Sequence, residues 1–328
     1  MLSLFRTNQI AFNLLLIVYI LLIRGSAIFV TPAAENFTGQ GVLSDWLNGL
    51  WGTTGPMAVS IGIGVVFFQA LLINIVVAKF RVATTLSLFP GLFYALLASI
   101  FPEFLALSPA LLANTFFILA LWELFETYRK NNIAGNIFNI GFWLGIASLF
   151  YFSAVVFLVL AFIGLNVLRA FNLKELLMLL IGFLVPYLIG MVYFFWNDEL
   201  GFFFQNYLLG KFSFLDFHYL NNLQSYIKLG VVAVLSLGVI ISFNDYYAKR
   251  NIQTQKNITV IFWALFIAVV SFVFQTNIQV FHFLIFTVPL GILLSFNFLK
   301  LSPSIAEAAH LLLFAAVLIW QFNPLWLR

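Results

Sequence analysis

From Pro56 to Ala78 the chain reads "PMAVSIGIGVVFFQALLINIVVA", without one charged side chain. As a helix this stretch is long enough to cross the roughly 30 Å hydrocarbon core of a bilayer, which takes about 20 apolar residues. Similar runs recur along the whole sequence. Only 8% of the 328 residues are charged and 63% are hydrophobic, 42 of them phenylalanine. A soluble domain carries roughly 25% charged residues, so this chain cannot cover a water-facing surface. The runs are also too long and uninterrupted for the alternating strands of a membrane barrel. The expected fold is an all-α polytopic transmembrane helical bundle, forming a single integral membrane domain over residues 1–328.

The net charge of +4 sits in short clusters between apolar runs, the pattern of topology signals rather than of nucleic-acid binding. The partner this composition implies is the lipid bilayer. The absence of cysteine excludes disulfides and thiolate catalysis and leaves the compartment open. Arg6 precedes an apolar run from Ile10 to Ile23 that continues past Arg24 through Val30, with Thr31-Pro32-Ala33-Ala34 after it. Its length favours a signal anchor over a cleaved leader.

Hydropathy predicts helices near 10–30, 57–78, 83–101, 108–127, 136–150, 153–168, 175–196, 227–247, 258–275, 280–298 and 305–322. The apolar run 136–168 would be about 50 Å long as one helix, too long for one span. As a hairpin turning at Tyr151–Ser153 it places 11 basic residues inside and 3 outside, leaving out Arg24 within the first span. As a single span it gives 8 against 6. The positive-inside rule therefore favours the hairpin: about eleven membrane segments, N-terminus in the cytoplasm, C-terminus out, as expected of a protein of the inner membrane.

This topology places two long loops, 31–56 and 197–226, on the outer face. With them go Glu35, Asp45, Glu103, Asp198, Glu199 and Asp216. Within the first loop Leu43, Trp46, Leu47, Leu50 and Trp51 share one helical face, so an interfacial helix is expected near 44–51, with Ser44 or Asp45 capping its start. Glu35 reads as a solvated loop acid, and Arg24, near the outer end of the first span, as a snorkelling cation. Glu126 and Lys130 form an i, i+4 pair at a helix end. Gln69, Asn74, Asn114, Asn139 and Asn166 are suited to bonds between helices. The three histidines, His218, His282 and His310, fall at different depths and cannot share one ion. There is no HExxH, P-loop, GxGxxG or GxSxG, and "GIGVVF" at 62–67 is packing glycine.

Three segments together carry a resemblance: "LALWELFETYRKNNIAGNIFNIGFWLGIASLFYFSAVVFLVLAFIGLNVLR" at 119–169, "KELLMLLIGFLVPYLIGMVYFFWNDELGFFF" at 174–204 and "VFHFLIFTVPLGILLS" at 280–295. Their order and hydropathy resemble the polytopic C-type glycosyltransferases, which use sugars on polyprenyl-phosphate carriers at the outer face. The resemblance implies an acid in the first outer loop, here Asp45 or Glu35, as general base or as ligand to a divalent cation. It implies a carrier-phosphate site, for which Arg24, Lys211 and His282 are the candidates, with Asp198 in the second loop also on the substrate side. The family often has Arg-Tyr where this chain has His282-Phe283, with Pro289 following. The whole chain is also similar to a multi-spanning membrane family of Bacteroidetes with no established activity. Three functions stay open: a lipid-linked-sugar transferase, a non-catalytic scaffold or assembly partner in envelope biogenesis, and a lipid or small-molecule transporter. A transporter usually shows an internal repeat, and none is evident.

Overall fold

The computed structural model describes residues 2–6, 10–29, 37, 39–83, 85–170, 172–208, 223–248, 250–272 and 279–326. Among these the ordered elements are helical, with no strand. The first half contains α1 (Ile10–Arg24), α2 (Val42–Trp51), α3 (Pro56–Lys79), α4 (Phe89–Leu97), α5 (Pro109–Glu126) and α6 (Ala134–Phe150). The second contains α7 (Phe157–Leu168), α8 (Leu173–Trp196), α9 (Leu223–Ile241), α10 (Ile252–Ser271), α11 (Thr287–Lys300) and α12 (Pro303–Trp326). Six described helical stretches are long and apolar enough to cross a membrane: α3, α5, α8, α10, Val280–Lys300 and Pro303–Phe322. The protein is thus a multi-spanning membrane protein, with shorter apolar helices packed among these six.

Burial sorts the helices by solvent. Within an 18-residue apolar window, 89% of Val280–Lys300, a 3-10 turn leading into α11, is buried within the protein, against 28% for α8 and 22% for Pro303–Phe322 of α12. Leu184, Leu188 and Val192 of α8 and Leu312 and Ile319 of α12 are exposed. Lipid is the solvent that suits such faces. The centre is α11 packed on α4, with α3, α5 and α10 around them. On one flank α6 lies between α5 and α8. There a Cβ on Gly182 would stand 2.2 Å from the Phe138 carbonyl oxygen, so only glycine lets α8 approach α6 so closely.

Polar side chains tie the centre together. The Gln69 amide donates to the Leu111 carbonyl and the Thr115 hydroxyl, both at 2.7 Å, and accepts from the Tyr94 hydroxyl. Asn74 accepts the Gly91 N–H at 2.7 Å, and Asn114 donates to the Leu284 carbonyl at 2.9 Å. Asn139 reaches Glu123 on α5 at 3.3 Å. Each such bond in lipid is worth about 1 kcal/mol. Asn166 departs from the expectation: it donates to Phe162 within its own helix.

Two further expectations change. The predicted span 83–101 contains only the nine-residue α4, all of it buried. At 1.5 Å per residue it is too short to cross a bilayer, and protein rather than lipid covers it. The apolar segment 280–298 opens as a 3-10 turn, Val280–Phe286, before α11 begins. The hairpin geometry of 136–168 does appear. The helix breaks at Tyr151, whose φ and ψ are −141° and 103°. After α7, Arg169 donates to the carbonyls of Thr127 at 2.9 Å and Lys130 at 2.7 Å, so the chain returns to the end from which α6 set out.

The bundle therefore has two unlike ends. The basic end gathers Lys79, Arg81, Arg129, Lys130, Arg169, Arg250, Lys256 and Lys300. The opposite, loop end joins residues 39–53, 98–108, 151–156 and 279–286. Across it Phe152 N–H donates to the Gln40 carbonyl and Leu107 N–H to the Thr53 carbonyl, both at 3.1 Å. Because the native chain has no cysteine, single cysteines can test this placement. Arg129→Cys and Lys174→Cys should label from the same side of sealed vesicles, and Trp46→Cys and Asp198→Cys from the other. Opposite-side labelling of the first two would overturn the hairpin.

Candidate functional site

The candidate site lies at the loop end, and α2 builds its rim. The helix spans Val42–Trp51, as its apolar spacing predicts. Leu43, Leu47 and Trp51 pack on the core, while Trp46 and Leu50 stay 61% and 57% exposed. The face thus divides between protein and bilayer interface. The N-cap is Gly41, which makes no side-chain cap bond, so neither Ser44 nor Asp45 caps the helix as expected. A Cβ at Gly41 would lie 2.3 Å from the Leu149 carbonyl oxygen, so this residue sets how closely the first loop docks on α6.

Asp45 has a different task. Its two carboxylate oxygens accept the Gly39 N–H at 3.0 and 2.9 Å. One of them also accepts the Tyr207 hydroxyl at 2.8 Å. Asp45 and Tyr207 stand 162 positions apart, so the two long loops meet on this carboxylate. Burial and then the Asp45 carboxylate push the Tyr207 hydroxyl above its usual 10, which keeps it protonated and donating.

Arg24 is buried at 1% exposure instead of snorkelling. Its guanidinium donates to the carbonyls of Phe104 at 2.7 Å and Ala98 at 3.4 Å. These carbonyls are available because the chain leaves helical geometry between α4 and α5. Beside them Gln321 of α12 donates to the Ser99 carbonyl and accepts the Ser26 hydroxyl. His282 is buried too: its Nδ1 lies 2.8 Å from the Tyr151 hydroxyl and its ring 4.0 Å from that of Phe281. Asp198 is exposed in a turn with φ of 57° and is not drawn into this cluster. Glu35 and Lys211 lie outside the described residues.

A pair that the sequence reading did not single out also sits here. Lys228 of α9, 5% exposed, forms an ion pair with Glu103 in the turn Pro102–Leu105. The second Glu103 oxygen, Oε2, is buried without a hydrogen-bond partner. One signal was legible: Lys228 is a lone cation in an apolar helix, and such a residue needs a named counter-charge. Among the described residues no group of three or more His, Asp or Glu side chains converges, and N–H and O–H donors already occupy Asp45. These residues do not by themselves form the oxygen cage of a divalent-cation site.

The fold and this site define a multi-spanning helical membrane protein with a polar cluster at one end. The chain belongs to a family of unknown function, DUF6427, whose model matches residues 53–325. No curated protein and no solved structure matches it.

Two outcomes follow from the geometry. Tyr207→Phe should cost about 1 kcal/mol. Because the Tyr207 pKa is raised on folding, this difference from wild type should be full below pH 10 and shrink as pH rises beyond it, which thermal melts at several pH values would read. Glu103→Gln should cost about 3 kcal/mol by leaving Lys228 buried and unpaired. Glu103→Gln with Lys228→Met should melt closer to wild type than Glu103→Gln alone; a lower melting point for the double variant would count against a shared pair.

Proposed function

We propose that the protein is an inner-membrane transferase that takes a sugar from a polyprenyl-phosphate carrier at its loop end, facing away from the cytoplasm. The observation that supports this reading is the Asp45 carboxylate. It is held by Gly39 and Tyr207 where the two long loops meet, the position the resemblance to C-type glycosyltransferases assigns to the reactive acid. Fixed donors on both oxygens keep such a carboxylate oriented. In the proposed step Asp45 takes the proton from an acceptor hydroxyl as that oxygen forms a bond to the anomeric carbon of the sugar. The carbon–oxygen bond to the carrier phosphate breaks, and its electron pair stays with the phosphate. Arg24, whose guanidinium bonds carbonyls and no carboxylate, carries positive charge at this end, the sign a leaving phosphate needs. The positive-inside rule sets the basic end in the cytoplasm.

A second reading, a non-catalytic scaffold, draws on the same bonds, because Gly39 and Tyr207 give Asp45 a structural task. Asp45→Asn separates the two. Asparagine still accepts from Tyr207 but cannot take a proton. The transferase reading expects a loss of about 10²-fold or more in sugar transfer from membrane-extracted carrier, with little change in melting point. It also expects a sugar-loaded polyprenyl phosphate retained on the variant in native mass spectra. Only ordinary phospholipid on both proteins, together with full complementation by Asp45→Asn, would favour the scaffold.

A further inference from the structure

We propose that a groove at the basic end binds an anionic glycerophospholipid, with its phosphate on Arg81 and Arg250 and an acyl chain along α3. This proposal is independent of the transfer reading, which concerns the opposite end. Its first support is a division among the cations. Most at this end already have partners. Lys79 pairs with Glu126 at 2.7 Å, Lys300 with Asp245 at 3.2 Å, and Arg169 bonds two carbonyls. Among the described residues neither Arg81 nor Arg250 has a carboxylate partner; Arg250 makes one bond, to the Tyr246 carbonyl at 3.2 Å. Both arginines line one cavity of about 690 Å³, with Lys79, Asn251 and Thr254. Topology signals alone would not require two unpaired arginines to converge on one cavity. A guanidinium offers forked donors suited to phosphate oxygens.

The backbone at Arg81 supports the same reading. Its φ is 49°, a left-handed conformation that costs a non-glycine residue about 1 kcal/mol or more. The Thr254 hydroxyl holds its carbonyl at 2.9 Å, so a residue lining the cavity fixes Arg81 in place.

An independent observation concerns what adjoins this cavity. A second one, of about 460 Å³, shares Ala78 and Lys79 with the first and is lined by Leu71 and Ile75. It also holds Asn13 and Asn74. The Asn74 side-chain amide nitrogen and the Asn13 side-chain oxygen are buried without hydrogen-bond partners, and Asn74 is only 6% exposed. A buried amide left unpaired costs about 1–3 kcal/mol, so such a group marks a place for an acceptor. Asn74 lies five residues before Lys79 on α3, about 7.5 Å deeper along the helix. Charged end, polar step and apolar channel thus follow one another in the order of phosphate, glycerol ester and acyl chain. Basic pockets between helices are suited to anionic headgroups.

The test is native mass spectrometry of the full chain in detergent, titrated with dioleoyl-phosphatidylglycerol, dioleoyl-phosphatidylcholine and glycerol 3-phosphate. Wild type should bind phosphatidylglycerol at least tenfold more tightly than either of the others. Arg81→Ala with Arg250→Ala should lose at least tenfold, while Arg81→Lys with Arg250→Lys should lose less. Arg129→Ala with Lys174→Ala removes the same charge from the same end outside the cavity and should change little. Asn74→Leu should weaken the lipid several-fold without affecting glycerol 3-phosphate. Equal losses in the two alanine pairs would reduce the effect to general surface charge and overturn the site. Undiminished binding without Arg81 and Arg250 would overturn it as well. Glycerol 3-phosphate binding as tightly as the lipid would reassign the groove to a soluble phosphate compound.

Discussion

Inside a bilayer a polar group has no water to return to, and this constraint orders the whole structure. The central helices are joined where amides have found partners: Gln69 on Leu111, Thr115 and Tyr94, Asn114 on Leu284, and Asn74 on Gly91. Apolar packing alone would not choose one arrangement over another, because lipid tails are as apolar as leucine. The amide bonds set the neighbours of α11 and α4, and the glycine contact between α6 and α8 lets the flank close on them. Arg24 follows the same rule. It lies inside the protein because the breaks around α4 expose the Ala98 and Phe104 carbonyls, which take the place of water.

Much of this fold was legible in the sequence because hydropathy counts what composition controls. The positions of α3, α5, α8 and α10, the break near Tyr151 and the short helix at 42–51 all follow from apolar runs and their spacing. What hydropathy does not encode is the source of burial. The segment 83–101 is as apolar as a span, yet α4 within it is nine residues long and covered by protein. Asn166 looked like a bridge between helices, and instead it satisfies itself within one turn.

The candidate site was legible only in part, for a related reason. Asp45 stood out as an acid in a loop between apolar runs. Its partner Tyr207 lies 162 positions away, a separation no local pattern can span. The same holds for Glu103 and Lys228, separated by 125 positions. A cation in an apolar helix announces that a partner exists, while its identity is a tertiary fact. Arg24 carried the opposite ambiguity. Its place near a helix end suited snorkelling, and the backbone breaks that draw it inward are invisible to a hydropathy count.

The two ends show how the same residue types acquire different meanings from their neighbours. At the loop end the two described cations are occupied, Lys228 by Glu103 and Arg24 by two carbonyls, and each closes a gap in the fold. At the basic end neither Arg81 nor Arg250 has a carboxylate partner among the described residues, and Arg250 bonds one carbonyl, that of Tyr246. They stand over a cavity, one of them in a backbone conformation that needs support from Thr254. A charge that completes a packing network is explained by the fold, since its removal leaves something buried and unpaired. A charge that lines a cavity without a counter-charge is instead open to a ligand that carries one. By that criterion Asp45, held by Gly39 and Tyr207, has a structural task that any proposed chemistry must share, and the two arginines at the other end are the charges for which the fold supplies no carboxylate among the described residues.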